Sequence, residues 1–195
     1  MKENIEFLQA FIKNPLKVGA ITPSSPELAR EMLRGIEPNE QNIILELGVG
    51  TGAITKFIAD IVPDEKSYLG VEIDRKLVNS LNVKFPRMTI LPGNACELEK
   101  LHKKSNLGKV SYIISCLPFV SIPNDIGEKI LSEIEKFMEQ GCMFRTIQYA
   151  HGFYMPSAIK LREFMRKRYG KSYKSPLIVK NVPPAYVLTW QTKSL

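Results

Sequence analysis

Ile43-Ile44-Leu45-Glu46-Leu47-Gly48-Val49-Gly50-Thr51-Gly52 decides the fold of this chain. Ile43 to Leu47 is a short, nearly continuous apolar run, as expected of a strand buried on both faces of a parallel sheet. Three glycines at alternate positions follow at once. Gly52 to Ile61 then places Ile54, Phe57, Ile58 and Ile61 on one helical face. Strand, glycine turn and helix open a βαβ unit. Glycines there let the backbone approach a ligand closely, and the start of the helix offers free amides and partial positive charge.

The alternation continues outward. Ser67–Ile73 reads as a strand, Arg75–Lys84 as a helix ended by Pro86, and Met88–Leu91 and Val110–Leu117 as two further strands. Asp125–Met138 is a helix carrying Ile126, Ile130, Ile134 and Phe137, and Cys142–Tyr149 is a fifth strand. Ile178–Val182 and Ala185–Gln191, separated by Pro183-Pro184, read as an antiparallel edge pair. Upstream, residues 4–14 read as an amphipathic helix with Ile5, Leu8 and Ile12 on one face, widened by Phe7 and Phe11. A loop follows, and Ser24 or Ser25 caps a helix over Pro26–Leu33. The expected fold is α/β: one doubly wound, mostly parallel seven-stranded sheet in a single domain over 1–195, with 1–36 as a helical cap and 42–195 as the core.

Composition agrees. The 195 residues are 44% hydrophobic and 24% charged, the balance of a globular protein. No apolar run approaches the roughly 20 residues of a spanning helix. The N-terminus lacks the pattern of a secretory signal, so a cytoplasmic location is expected. Cys96, Cys116 and Cys142 form neither a CxxC pair nor a metal spacing, so no disulfide and no metal are expected. The net charge is +7, and nearly all of it lies in Lys160, Arg162, Arg166, Lys167, Arg168, Lys171 and Lys174, set against Glu163 alone. Such a cluster suits an anionic partner, either a phospholipid surface or RNA.

A glycine loop of this spacing also serves dinucleotide binders. Two carboxylates discriminate. Glu46 stands two residues before the first glycine, where it repels a pyrophosphate but can bind an ammonium group or orient the loop. Glu72, in Gly70-Val71-Glu72-Ile73-Asp74, ends the next strand, one strand–helix–strand unit downstream, where it can hold both hydroxyls of a ribose.

On these residues the chain resembles the class I S-adenosylmethionine-dependent methyltransferases over most of 42–150. The resemblance implies S-adenosylmethionine as cofactor, held by Glu46, Gly48, Gly50, Glu72 and Ile73. Pro92-Gly93-Asn94-Ala95 resembles the segment that contacts the adenine amino group, with Asn94 where many relatives have Asp. Ser115-Cys116-Leu117-Pro118-Phe119 occupies the place of the substrate-side motif. Two subfamilies share this core. The rRNA adenine dimethyltransferases carry Asn-Leu-Pro-Tyr there, and this chain has Cys116 in place of that Asn. A thiol is a poor partner for an aryl amine. Too few residues follow the strand pair for that family's helical C-terminal domain.

The bacterial phospholipid N-methyltransferases are similar almost end to end. Their N-terminal signature resembles Phe11 to Ser25, their Ser-Ser-Leu-Pro resembles Ser115-Cys116-Leu117-Pro118, and their Asn-Leu-Pro-Pro-Ala resembles Asn181-Val182-Pro183-Pro184-Ala185. This resemblance implies stepwise methylation of an aminolipid head group, with phosphatidylethanolamine the leading substrate. An rRNA adenine methyltransferase, or a non-catalytic membrane- or RNA-binding protein of this fold, is the alternative. The loop with Gly19, Ala20, Ile21 and Thr22 is expected to cover the cofactor, and the 115–119 turn to position the amine, with Ser115 on the cofactor side. The Leu117 carbonyl, Tyr149 or His151 is the expected proton acceptor, a histidine being suited to proton transfer near neutral pH. Tyr149 and Phe119 are candidates to face an ammonium by cation–π contact. Helix 4–14 and the basic cluster are expected to attach the protein to the inner face of the membrane.

Overall fold

The computed structural model describes residues 24–192. The expected 4–14 helix and the Gly19-Ala20-Ile21-Thr22 loop lie outside them. Helices α1 (Pro26–Leu33), α2 (Thr55–Ile58), α3 (Arg75–Lys84), α4 (Leu98–Ser105), α5 (Asn124–Met138) and α6 (Pro156–Tyr169) surround a sheet. Its strands are β1 (Asn42–Leu47), β2 (Tyr68–Glu72), β3 (Thr89–Pro92), β4 (Lys109–Ser115), β5 (Met143–Tyr149), β6 (Tyr173–Lys174) and β7 (Ala185–Trp190). The spatial order is β3-β2-β1-β4-β5-β7-β6. β1 to β5 are parallel, and β7 runs antiparallel to both β5 and β6. This is the doubly wound, mostly parallel seven-stranded sheet expected from the sequence.

Alternation along β1 sorts the core into two layers. Ile43, Leu45 and Leu47 face α4, α5 and α6, together with Leu98, Leu101, Ile130, Ile134, Leu161 and Met165. Ile44 faces the other way, against Leu28 and Met32 of α1, Ile58 of α2 and Leu81 of α3. Glu46 shares the parity of Ile44, so this strand carries a carboxylate into the second layer. β1 and β2 are buried along almost their whole length, which explains their unbroken apolar composition.

Ser25 caps α1 by accepting from the Leu28 N–H at 3.1 Å. The far end of α1 is held by Arg145 of β5. Its buried guanidinium donates to the carbonyls of Met32 and Arg34, at 2.9 and 3.0 Å, and to Thr189 Oγ1. Asn181 pins the near end. Its Oδ1 accepts from the Ser25 N–H at 2.9 Å, and its Nδ2 donates to the Pro183 carbonyl at 2.7 Å. The next carbonyl, Pro184, accepts from the Ala150 N–H, so the Asn181–Ala185 motif ties α1 to the end of β5.

Three expectations are corrected. The first helix is shorter than Gly52–Ile61, because turns occupy the stretch from Gly50 to Ile54 before α2 begins. The run 178–182 is not the partner strand of the C-terminal pair. Only Ile178 bridges Ala185, while the Asn181 N–H turns back to the Ile178 carbonyl; Tyr173–Lys174 is the strand beside β7. Periodicity predicted neither α4 nor α6, because each buries only a few apolar residues among many lysines and arginines.

Candidate active site

The site residues gather where the parallel strands end. The Gly48 N–H donates to the Val71 carbonyl at 2.9 Å, and the Cys116 N–H to the Leu47 carbonyl at 2.9 Å. These bonds place the glycine loop between the ends of β2 and β4. Gly48 has φ +73°, and a Cβ there would sit 2.8 Å from Leu117 Cδ2, so the loop is pressed against the turn after β4. Gly50, at φ +59°, is different: a Cβ would meet nothing nearer than 3.9 Å. That open side gives a ligand room to approach the backbone.

Glu72 holds the loop in this shape. Its buried carboxylate accepts from the Gly50 N–H at 2.8 Å with Oε2 and from the Asp74 N–H at 3.0 Å with Oε1. Each oxygen retains lone-pair capacity for a ribose hydroxyl. The Gly93 N–H donates to the Glu72 carbonyl at 2.9 Å, which brings Asn94 beside Glu72. Asn94 Oδ1 accepts from the Cys96 N–H at 2.9 Å and caps a short 3-10 turn. Ile73 and Ala95 pack around the α4–α6 layer and border this region on its apolar side.

Glu46 is fully buried under the loop. Its Oε2 accepts from the Tyr68 hydroxyl at 2.6 Å and the Thr55 hydroxyl at 2.8 Å. Its Oε1 has no hydrogen-bond partner among the described residues. Burial pushes its carboxyl up to about 7 against the pull of those two hydroxyls, and the Glu72 charge adds to the rise. Gly70 makes this arrangement possible, since a Cβ there would stand 2.6 Å from the Tyr68 hydroxyl. A buried, half-satisfied carboxylate is costly unless something completes it. A ligand ammonium is a chemically suitable complement. The residues therefore fit S-adenosylmethionine, with Glu72 toward its ribose and Glu46 toward its charged tail.

The substrate-side residues are arranged differently. Ser115 is buried and its Oγ accepts from the Leu117 N–H at 3.3 Å, so it shapes the turn from within. The Leu117 carbonyl accepts from the Phe119 N–H at 2.9 Å. The Pro118 carbonyl accepts from Ser121 and Ile122, at 2.8 and 3.2 Å, and so uses both its lone pairs. Phe119 is buried in the α4–α6 layer, where it lines a groove of about 220 Å³ between α5 and α6. Tyr149 belongs to the opposite layer. The two rings expected beside an ammonium thus pack in different layers of the core.

Tyr149 instead stacks on exposed His151, with ring centroids 5.8 Å apart and 17° between planes. Burial raises the Tyr149 phenol, and the nearby Cys116 adds to this. Burial and the Glu46 charge in turn push the Cys116 thiol well up. Cys116 thus bridges the cofactor side and the Tyr149–His151 pair, in the place where a side-chain amide was the alternative.

The basic cluster is partly absorbed into the fold. Arg162 donates to Gln148 Oε1 at 2.6 Å and lies over the Phe153 ring; Arg168 pairs with Glu135 and lies over Phe164. Lys160, Arg166, Lys167 and Lys171 remain exposed. Thr55, Tyr68 and Asn181 escaped the sequence reading as functional residues. Tyr68 carried a legible signal, since it shares strand parity with Gly70, opposite Glu46.

Fold and site together define a class I methyltransferase, an enzyme that uses S-adenosylmethionine. Solved structures of similar fold include an rRNA methylase from Streptococcus thermophilus (13% identity, TM-score 0.62, covering 87% of this chain and 98% of that one). Another is the magnesium protoporphyrin IX methyltransferase of Synechocystis with bound cofactor (13% identity, TM-score 0.61, 94% and 84% covered). Within this class the chain belongs to the ribosomal RNA adenine dimethylase family, which it matches over residues 2–171. An ornithine lipid N-methyltransferase of Singulisphaera acidiphila is 27% identical over 150 residues, 75% of this chain and 78% of that protein. A ribosomal RNA small subunit methyltransferase A of Chlorobium phaeobacteroides is 28% identical over 116 residues, 57% of this chain and 42% of that protein.

Proposed function

We propose that this enzyme methylates the primary amine of an aminolipid head group. The observation that carries this reading is coverage: the lipid-methylating relative matches three quarters of both chains, while the rRNA-methylating relative matches 42% of its own length. Cys116 supports it, because a half-buried thiol offers an adenine amine little of what an amide offers.

S-adenosylmethionine supplies an electrophilic methyl group. The chain's residues then have to orient a neutral amine in line with it and receive one proton. Glu72, Asn94 and Gly50 hold the nucleoside, and Glu46 the charged tail. The free lone pair of the Leu117 carbonyl orients the amine. Tyr149 presents an aromatic face to the increasingly methylated nitrogen. His151, exposed and stacked on Tyr149, takes the proton and passes it to solvent. The protein works at the inner membrane surface. Among the described residues no helix is long and apolar enough to cross a membrane.

The test is incubation with methyl-labelled cofactor and three substrates: phosphatidylethanolamine vesicles, ornithine lipid vesicles, and rRNA. Labelled mono- and dimethylated lipid is the expected product. Label in rRNA and none in either lipid refutes the proposal in favour of adenine methylation.

A further inference from the structure

Two loops at the active-site end expose large apolar side chains. After β5, Tyr154 is 82% exposed and Met155 46%, and Ile159, in the first turn of α6 that this loop enters, is 37% exposed. In the segment before β7, Val179 is 66% exposed, Val182 63% and Leu177 39%. Among the described residues the other exposed large apolar side chains are Ile61, Val83 and Tyr173, on other parts of the molecule.

The two loops are neighbours. Ile178 bridges Ala185, which pairs with Tyr149, and the Pro184 carbonyl accepts from the Ala150 N–H. Phe153 lies edge-on to Tyr186, with 5.1 Å between centroids. Both loops therefore flank the Tyr149–His151 pair at the carboxyl end of β5.

Basic residues alternate with these apolar ones. Lys160 is exposed next to Ile159, and Lys180 is exposed next to Val179, within 3.3 Å of Glu27. Lys174 Nζ stands 4.6 Å from the Tyr186 ring. Glu163, one turn beyond Lys160, is the acid of α6 and is exposed. Single apolar side chains on adjacent loops, interleaved with long cations, suit an interface in which rings and methyls enter the acyl boundary while ammonium groups stay at phosphate level. A flat apolar protein interface would instead exclude such charges from its centre.

We infer that residues 154–159, which run from the end of the loop after β5 into the first turn of α6, and the 177–182 loop form the surface by which this enzyme docks on a bilayer containing anionic phospholipid. The inference rests on the aminolipid reading and deepens it. Docking on this end puts the Tyr149–His151 pair at head-group depth, so that the amine reaches the site without the lipid leaving the membrane.

Sedimentation with phosphatidylcholine vesicles, with and without phosphatidylglycerol, tests this on the full chain. The wild type is expected to pellet with the anionic vesicles. Val179→Asp/Val182→Asp and, separately, Tyr154→Ser/Met155→Ser are expected to pellet about tenfold more weakly, as loss of an apolar side chain from the interface demands. Both variants should bind S-adenosylhomocysteine and methylate aminolipid in detergent micelles as the wild type does. Undiminished pelleting by a variant that still binds S-adenosylhomocysteine overturns the inference. So does a wild type that methylates micellar aminolipid without pelleting, an outcome that leaves the proposed function standing. Absence of lipid methylation in micelles, with methylation of rRNA, removes the function itself. A single Val179→Cys carrying an environment-sensitive dye guards against misfolding: a blue shift on adding anionic vesicles supports the surface, and no shift refutes it.

Discussion

The two halves of the active-site end are built on different physics. On the cofactor half, β1, β2 and β3 lead into polar side chains fixed by hydrogen bonds: buried Glu72 accepts from the Gly50 and Asp74 amides, buried Glu46 from the Tyr68 and Thr55 hydroxyls, and half-buried Asn94 from the Cys96 amide. On the substrate half, β4 and β5 end in packed or stacked rings and a carbonyl turn, with Phe119 buried and His151 in solvent. Charge set in a low-dielectric frame fixes one ligand closely. Aromatic packing around an open rim leaves the second ligand to be chosen by shape and by the surface that delivers it. This division matches a family in which one cofactor serves different acceptors.

If the comparison is right, the cofactor half should be the more fragile. Glu72→Ala removes the acceptor of the Gly50 and Asp74 amides and, on the proposed assignment, of the ribose hydroxyls as well. Hydrogen bonds to a charged group are worth about 1.5–3 kcal/mol each. S-adenosylhomocysteine affinity by calorimetry should fall about a hundredfold or more. Wild-type affinity in that variant refutes the ribose assignment and dissolves the contrast.

Glu46 sharpens it through pH. Its carboxyl titrates near 7 in the fold against an ordinary value of 4.5. The folded state therefore holds the proton more tightly than the unfolded chain. Stability is highest below about 4.5, falls as pH rises toward 7, and is lower by about 3 kcal/mol above that. Glu46→Gln keeps an acceptor for Tyr68 and Thr55 without the buried charge. It should melt higher than the wild type at about pH 8, with the difference vanishing near pH 4, while binding the cofactor more weakly. A Gln variant less stable at pH 8 breaks this account. For the same reason wild-type cofactor affinity should rise between about pH 6 and pH 8, because binding a cation to Glu46 requires the proton to leave.

The glycines separate packing from binding within one loop. Gly52, at φ +79°, would place a Cβ 2.6 Å from the Phe85 ring, whereas at Gly50 the space is open. Gly52→Ala combines the backbone term of about 1–2 kcal/mol with an overpacking term of about 1–3 kcal/mol, so it should cost about 2–5 kcal/mol of stability. Gly50→Ala should cost only the backbone term of about 1–2 kcal/mol and show its larger effect on cofactor affinity. Equal behaviour of the two in thermal melts and calorimetry would mean that the open side of Gly50 is not where the ligand lies.

The same division explains what the sequence disclosed. Ile43 to Gly52 and Glu72 were legible because strand burial, glycine spacing and a carboxylate at a strand end are local patterns. The environment of Glu46 was only half legible: its position could be read, but Thr55 and Tyr68 meet it through the packing of α2 and β2, which no local pattern encodes. The helices α4 and α6 hid behind their lysines and arginines. The partner strand of β7 was misplaced because Ile178-Val179 looks β-forming while Asn181 diverts the chain toward Ser25. Phe119 and Tyr149 read alike as aromatic residues after strands, and only the third dimension assigns them to opposite layers.

That last separation yields the smallest expected effect and a direct test of the substrate half. Phe119→Leu retains an apolar side chain in the α5–α6 groove, and a volume-near swap of this kind costs about 1 kcal/mol. Packed as it is in the α4–α6 layer, Phe119 should register in the melting temperature and leave kcat/KM for the aminolipid nearly unchanged. Tyr149→Leu should do the reverse, because Tyr149 stacks on His151 beside Cys116 at the rim: a small change in melting and a drop of about tenfold in kcat, the order of a lost cation–π contact in a partly desolvated site. A Phe119→Leu enzyme that melts normally but turns over slowly would put that ring on the substrate and bring the two halves of the site closer in kind.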